Sequence, residues 1–121
     1  MLVAMYDTGG DLSHPDLRTL DGQSRVVALW DQDQLGEGPP GFGFGRVCAP
    51  VETLCQHLDP LGHGTAVAGI AVSSGPQYRG IAPSADLVVA SSSTFEGFVE
   101  ALAWFRDVAE ARAQPLVVNI S

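Results

Sequence analysis

The sequence contains no lysine at all. Six arginines face fourteen acidic residues, which leaves a net charge of −8 at pH 7. The absence of lysine excludes a Walker-type phosphate loop, which needs Gly-Lys-Ser/Thr. Scattered arginines in an acidic chain also exclude nucleic acid as a partner, because phosphate binding needs clustered positive charge. Charge of either sign is scarce, at 17% of residues, against roughly 25% in an average soluble domain. A free-standing domain of 121 residues has much surface to cover and normally carries more charge. The composition therefore reads as interior-rich material belonging to a larger fold. No apolar run approaches the roughly 18–20 residues of a membrane helix, so no membrane partner is expected. The opening stretch Met1–Tyr6 is too short and lacks the basic flank of a signal peptide; it reads as a strand. Cysteine is equally thin. Cys48 and Cys55 make no disulfide scaffold, and either one bond or two thiols fits.

What is present is four short apolar runs: Leu2–Tyr6, Arg25–Trp30, Asp86–Ala90 and Leu116–Ile120. They lack strict alternation, and three contain Val-Val pairs, as expected for strands buried on both faces of a parallel sheet. Helix-like stretches lie between them. His63–Ser73 is rich in Ala, Val and Ile, and Phe95–Arg112 sets Phe98, Leu102, Phe105 and Ala109 on one face. Val99, Trp104 and Val108 add a second stripe, which predicts a helix covered on more than one side. Pro115 breaks the pattern before the last strand. Strands alternating with helices predict an α/β fold, a doubly wound parallel sheet with helices on both faces. The segment at about 31–62 is too long for a simple connection and too rich in Gly and Pro for a regular element. It reads as a surface excursion.

Two segments carry chemistry. In Val3-Ala-Met-Tyr-Asp7-Thr-Gly-Gly10 an apolar strand ends on an acid, at the sheet edge where α/β folds gather their sites. Taken alone, Asp7 reads more readily as a turn acid capping the strand. In Leu61-Gly-His63-Gly-Thr-Ala-Val-Ala-Gly69 a histidine opens a small-residue helix. An imidazolium is disfavoured at a helix N-terminus, and a nearby carboxylate would reverse that preference and fix one tautomer. An acid first and a histidine second is the chain order of one known triad arrangement.

With these residues the sequence resembles the subtilisin-like serine proteases. Asp7-Thr-Gly-Gly-Asp-Leu-Ser-His-Pro-Asp-Leu17 resembles the aspartate motif of that family, and His63-Gly-Thr-Ala-Val-Ala-Gly69 its histidine motif. Arg79-Gly-Ile-Ala-Pro-Ser-Ala-Asp-Leu87 is similar to the segment leading into the next core strand. Val117-Val-Asn-Ile-Ser121 is similar to the strand that begins the wall of the primary specificity pocket. Trp30-Asp-Gln with Pro-Pro-Gly-Phe-Gly-Phe-Gly is similar to a bacterial branch related to clostridial spore-germination proteases. The resemblance implies an endopeptidase with Asp7 as triad carboxylate and His63 as general base. It implies Ser121 as a substrate-binding residue and Ser91–Gly97 as an edge that pairs with extended substrate. It also implies a polypeptide substrate, an extracytoplasmic location and no required cofactor. Many subtilases bind calcium, but no loop here spells an EF-hand and no metal site is assigned.

Three departures stand out. Gly10 replaces the usual Ile or Val behind Asp7, Ala66 replaces a common histidine, and no Gly-Thr-Ser nucleophile segment or oxyanion asparagine is found. Ser91, Ser92 and Ser93 follow a strand, and nothing promotes one of them to nucleophile. Residues 1–121 therefore read as part of a catalytic domain, needing its remainder as partner and inactive alone. Marginal folding, self-association and an uncovered sheet edge are expected of such a chain. Two other classes stay open. A pseudoprotease or binding module would keep the fold without the reaction. A zinc domain would use Cys48, Cys55, His57 and His63, although the cysteine spacing exceeds the usual two to four.

Overall fold

The computed structural model describes residues 1–49 and 59–121. Their strands are β1 (Leu2–Asp7), β2 (Val26–Asp31), β3 (Arg46–Cys48), β4 (Asp86–Ser91) and β5 (Leu116–Ile120). Their helices are α1 (His63–Val72) and α2 (Phe98–Ala111), with one 3-10 turn at Pro15–Leu17. The five strands form one sheet in the order β3-β2-β4-β1-β5. β1 pairs in parallel with both β4 and β5, and β2 in parallel with β4.

The apolar runs become strands because both of their faces are covered. Val3 and Met5 of β1 join Leu29, Leu87 and Val89 on one side, where Ala68 and Val72 of α1 close the core. Leu2, Ala4 and Tyr6 point the other way and join Ala28, Trp30, Val88 and Ala90 under Ala101, Trp104, Phe105 and Ala109 of α2. Each central strand thus buries successive side chains on opposite sides, which explains why it shows no alternation of polarity.

Three expectations need correction. The sheet is mixed: β3 runs antiparallel to β2, pairing Leu29 with Cys48 and Asp31 with Arg46. It arises inside the Gly- and Pro-rich excursion, whose Phe42 and Phe44 rings pack 5.1 and 5.0 Å from Trp30. The Trp30 indole N–H donates to the Phe44 carbonyl at 3.1 Å, so the turn folds back onto the sheet edge. Cys55 and His57 of the excursion lie outside the described residues, whereas Cys48 is buried in β3. Second, α2 starts at Phe98, not Phe95, because the Thr94 carbonyl accepts from the Tyr6 hydroxyl at 2.9 Å and the chain turns there. Third, the second stripe of α2 is not continuous: Trp104 is buried but Val99 is exposed.

One buried cation organises the α1 side. Arg25, 5% exposed, donates to the carbonyls of Ala85 at 2.7 Å, Asp16 at 2.9 Å and Val72 at 2.5 Å. The Val72 carbonyl is at the C-terminal end of α1, where the helix dipole favours positive charge. Burial lowers the Arg25 pKa, and the charge of Asp86 opposes that shift.

Candidate active site

The carboxyl ends of β1, β2 and β4 finish level, since Asp7 and Asp31 both register with Ser91. Asp7 is therefore the last residue of a central strand, at the edge where parallel sheets expose their ligating groups. The first turn of α1 lies directly against the loop that follows. Gly62, just before the helix, has φ +67°, and a Cβ on Gly64 would collide with the Gly9 carbonyl oxygen. Two glycines thus let His63 approach Asp7 closely.

His63 Nδ1 lies 2.9 Å from Oδ1 and 3.1 Å from Oδ2 of Asp7. The acid is sealed and the base is open: the Asp7 side chain is 0% exposed and that of His63 is 53% exposed. Asp7 Oδ1 also accepts from the Thr8 N–H at 2.7 Å and the Thr8 hydroxyl at 3.2 Å. Oδ2 accepts from the Ser121 hydroxyl at 3.0 Å. An ionised carboxylate only accepts, so Nδ1 carries the proton in this pair and neutral His63 keeps its lone pair on Nε2. The hydrogen bond to Asp7 and then its charge raise the His63 pKa, desolvation opposes them, and the charge of Asp59 adds the smallest contribution, an upward one.

Asp7 and His63 come together as their motifs imply. Ser121 joins them, but on the acid: its side chain donates to Asp7 while its N–H donates to the Tyr6 carbonyl at 3.2 Å. The 91–97 segment is not a strand beyond Ser91. The Ser93 N–H donates to Asp33 at 2.7 Å and the Thr94 N–H to the Ser92 hydroxyl at 3.1 Å, so side chains of the chain itself hold it in a bend. Ser91 is 2% exposed, and its hydroxyl makes no hydrogen bond among the described residues. Gly10 does not leave a hole behind Asp7, because a Cβ there would already touch Leu12 at 3.0 Å. His14 makes a local bond, accepting from the Asp16 N–H at 3.2 Å. In the zinc scheme His63 would have to serve a metal as well as Asp7.

No family model matches the chain. It is 33% identical over 91 residues to the subtilisin-like protease PopC of Myxococcus xanthus, an alignment that covers 75% of this chain and 16% of PopC. It is 32% identical over 119 residues to the serine protease AprX of Bacillus subtilis, covering 84% of this chain and 26% of AprX. The chain is a relative of the subtilisin-like serine proteases. The solved structure of the Clostridium perfringens CspB protease shares its fold, with a TM-score of 0.83, 24% identity and coverage of 100% of this chain and 28% of that one. This subtilase relative spans a sixth to about a quarter of the length of the curated proteins it matches.

Sequence reasoning missed three contributors to the site. Thr8 was legible only as part of a turn, yet two of its groups donate to Asp7. Asp59 accepts from the Gly62 N–H at 3.0 Å and from the Thr65 N–H at 2.9 Å. Thr65 in turn accepts from the Asp11 N–H at 2.8 Å. An acid shortly before a helix is a known start signal, and Asp59 carried that signal unread.

Proposed function

We propose that Asp7 and His63 are the acid and the base of an Asp-His-Ser serine endopeptidase acting on polypeptides. Residues 1–121 form one part of that catalytic domain, and the nucleophilic serine belongs to its remainder. The observation that supports this most directly is the 2.9 Å contact between a sealed Asp7 and a half-exposed His63. Asp7 holds the Nδ1–H tautomer, so Nε2 is free to take the proton of a serine hydroxyl as it attacks a peptide carbonyl. The imidazolium then gives that proton to the leaving amine, and Asp7 stabilises the charge in between. This chemistry invokes no cofactor. Ser121 supports the acid through its side chain in this reading, which is a different task from binding substrate.

A fluorophosphonate probe tests the proposal. The 121-residue chain is expected to stay unlabelled, because a base and its orienter without a nucleophile do not act as a unit. A chain in which residues 1–121 continue into a Gly-Thr-Ser segment and the rest of a subtilase domain is expected to label at that serine. His63→Ala should abolish the labelling, and Asp7→Asn should lower turnover by about 10⁴-fold. Labelling of any serine within the 121 residues would sink the assignment.

A further inference from the structure

We propose that Asp59 is a positioning residue for His63: it locks the first turn of α1 to the loop that follows Asp7 and sets a second carboxylate beside the base. The proposal rests on the reading of Asp7 and His63 as a working pair. Three observations carry it. Asp59 Oδ1 accepts from the Gly62 N–H and Oδ2 from the Thr65 N–H, so one carboxylate serves two of the donors that a helix N-terminus leaves unpaired. Asp59 Oδ2 also accepts from the Thr65 hydroxyl at 2.6 Å, and that hydroxyl accepts from the Asp11 N–H at 2.8 Å. The relay Asp11–Thr65–Asp59 therefore joins the loop carrying the acid to the helix carrying the base. Gly64 lies against the Gly9 carbonyl in the same turn, so the two segments have no room to slide.

The charge has its own reason to be there. His63 is the first residue of α1, where the helix dipole works against an imidazolium. Two carboxylates act on it from two elements, Asp7 from the end of β1 and Asp59 from the loop before α1. Asp7 faces Nδ1 directly, and Asp59 counters the dipole at the helix start. A capping acid with no part in the site would hold the helix without changing how readily His63 takes a proton.

The test is an NMR titration of the His63 ring in the 121-residue chain, with no proteolysis required. Asp59→Asn removes the charge but keeps an oxygen that can accept from Thr65, and Asn is itself a good helix-start residue. Thr65→Val keeps the Asp59 charge but cuts the relay to Asp11. Asp59→Asn is expected to lower the His63 midpoint, with the shift shrinking as salt is added. Thr65→Val is expected to broaden the low-field Nδ1–H signal while moving the midpoint less. If both variants fold and keep the midpoint and the Nδ1–H signal of the parent, Asp59 is only a helix cap and the proposal is overturned. If the parent His63 itself titrates no higher than an ordinary histidine, the Asp7–His63 pair fails, and the role of Asp59 falls with it.

Discussion

The two sides of the sheet are built differently. On the α2 side the core is aromatic: Trp30 meets Trp104 edge to face and Trp104 meets Phe105 at a tilt, with ring centroids 5.6 Å apart at each step. The outer surface of α2 carries Glu100, Arg106, Asp107 and Glu110, so the helix has a wet face and a dry one. On the α1 side the contacts come from small residues, and α1 has no charged residue after His63. Its outer surface is apolar too. Ile70 is 71% exposed, and Tyr78 and Ile81, which line the same cavity, are exposed beside it. A helix that is apolar all round belongs to the interior of a protein. Apart from the exposed Phe95 and Val99, the α2 side is a finished exterior, whereas the outer surface of α1 has the chemistry of a core. The contrast lies in the helices themselves: the exposed face of α2 carries charges that have no counterpart on α1.

The contrast can be broken by substitution. Phe105→Ala on the finished side should cost about 3–5 kcal/mol in urea unfolding, as for other buried aromatics; a cost below 1 kcal/mol would mean this side is not packed as described. Ile70→Ser on the α1 side should change stability by no more than about 0.5 kcal/mol, the usual range for exposed positions. The same variant should weaken self-association in sedimentation velocity runs, since exposed apolar patches drive it. Equal association of Ile70→Ser and parent would move the sticky surface elsewhere. The smallest effect is on pH dependence. The His63 pKa is raised in the folded chain, so its contribution to stability is complete below the unfolded value of roughly 6.5 and is lost as pH rises through the folded value. His63→Gln should flatten that slope between pH 6 and 8, on the order of the histidine titration range, and an unchanged slope would refute the linkage.

Much of the fold was legible because burial on two faces writes short unbroken apolar runs, as in Leu87–Ala90 of β4. β3 was not, since three residues beside a Gly- and Pro-rich turn carry no periodicity, and that turn is pinned by tertiary contacts, the packing of Phe42 and Phe44 on Trp30 and the indole N–H on the Phe44 carbonyl. The Val99 stripe misled because an apolar residue at helical spacing says nothing about whether a neighbour exists to cover it. In the site, Asp7 and His63 were legible through their flanking glycines, which mark where backbones approach closely. The task of Ser121 was not. Its contact with Asp7 spans 114 positions and follows from the parallel register of β1 with β5. Asp59 was legible as a helix-start acid, but its joining of the Gly62 and Thr65 N–H groups to the Thr65 hydroxyl, and so to Asp11, was not.

Arg25 gives the helix behind His63 an anchor at its far end. α1 is pinned at its start by Asp59 and at its finish by the guanidinium on the Val72 carbonyl. A slip of one residue along the axis would be about 1.5 Å, more than either set of bonds can follow. The helix is thus moored at both ends, and the imidazole at its tip is held at its distance from the carboxylate by bonds that do not involve its uncovered flank.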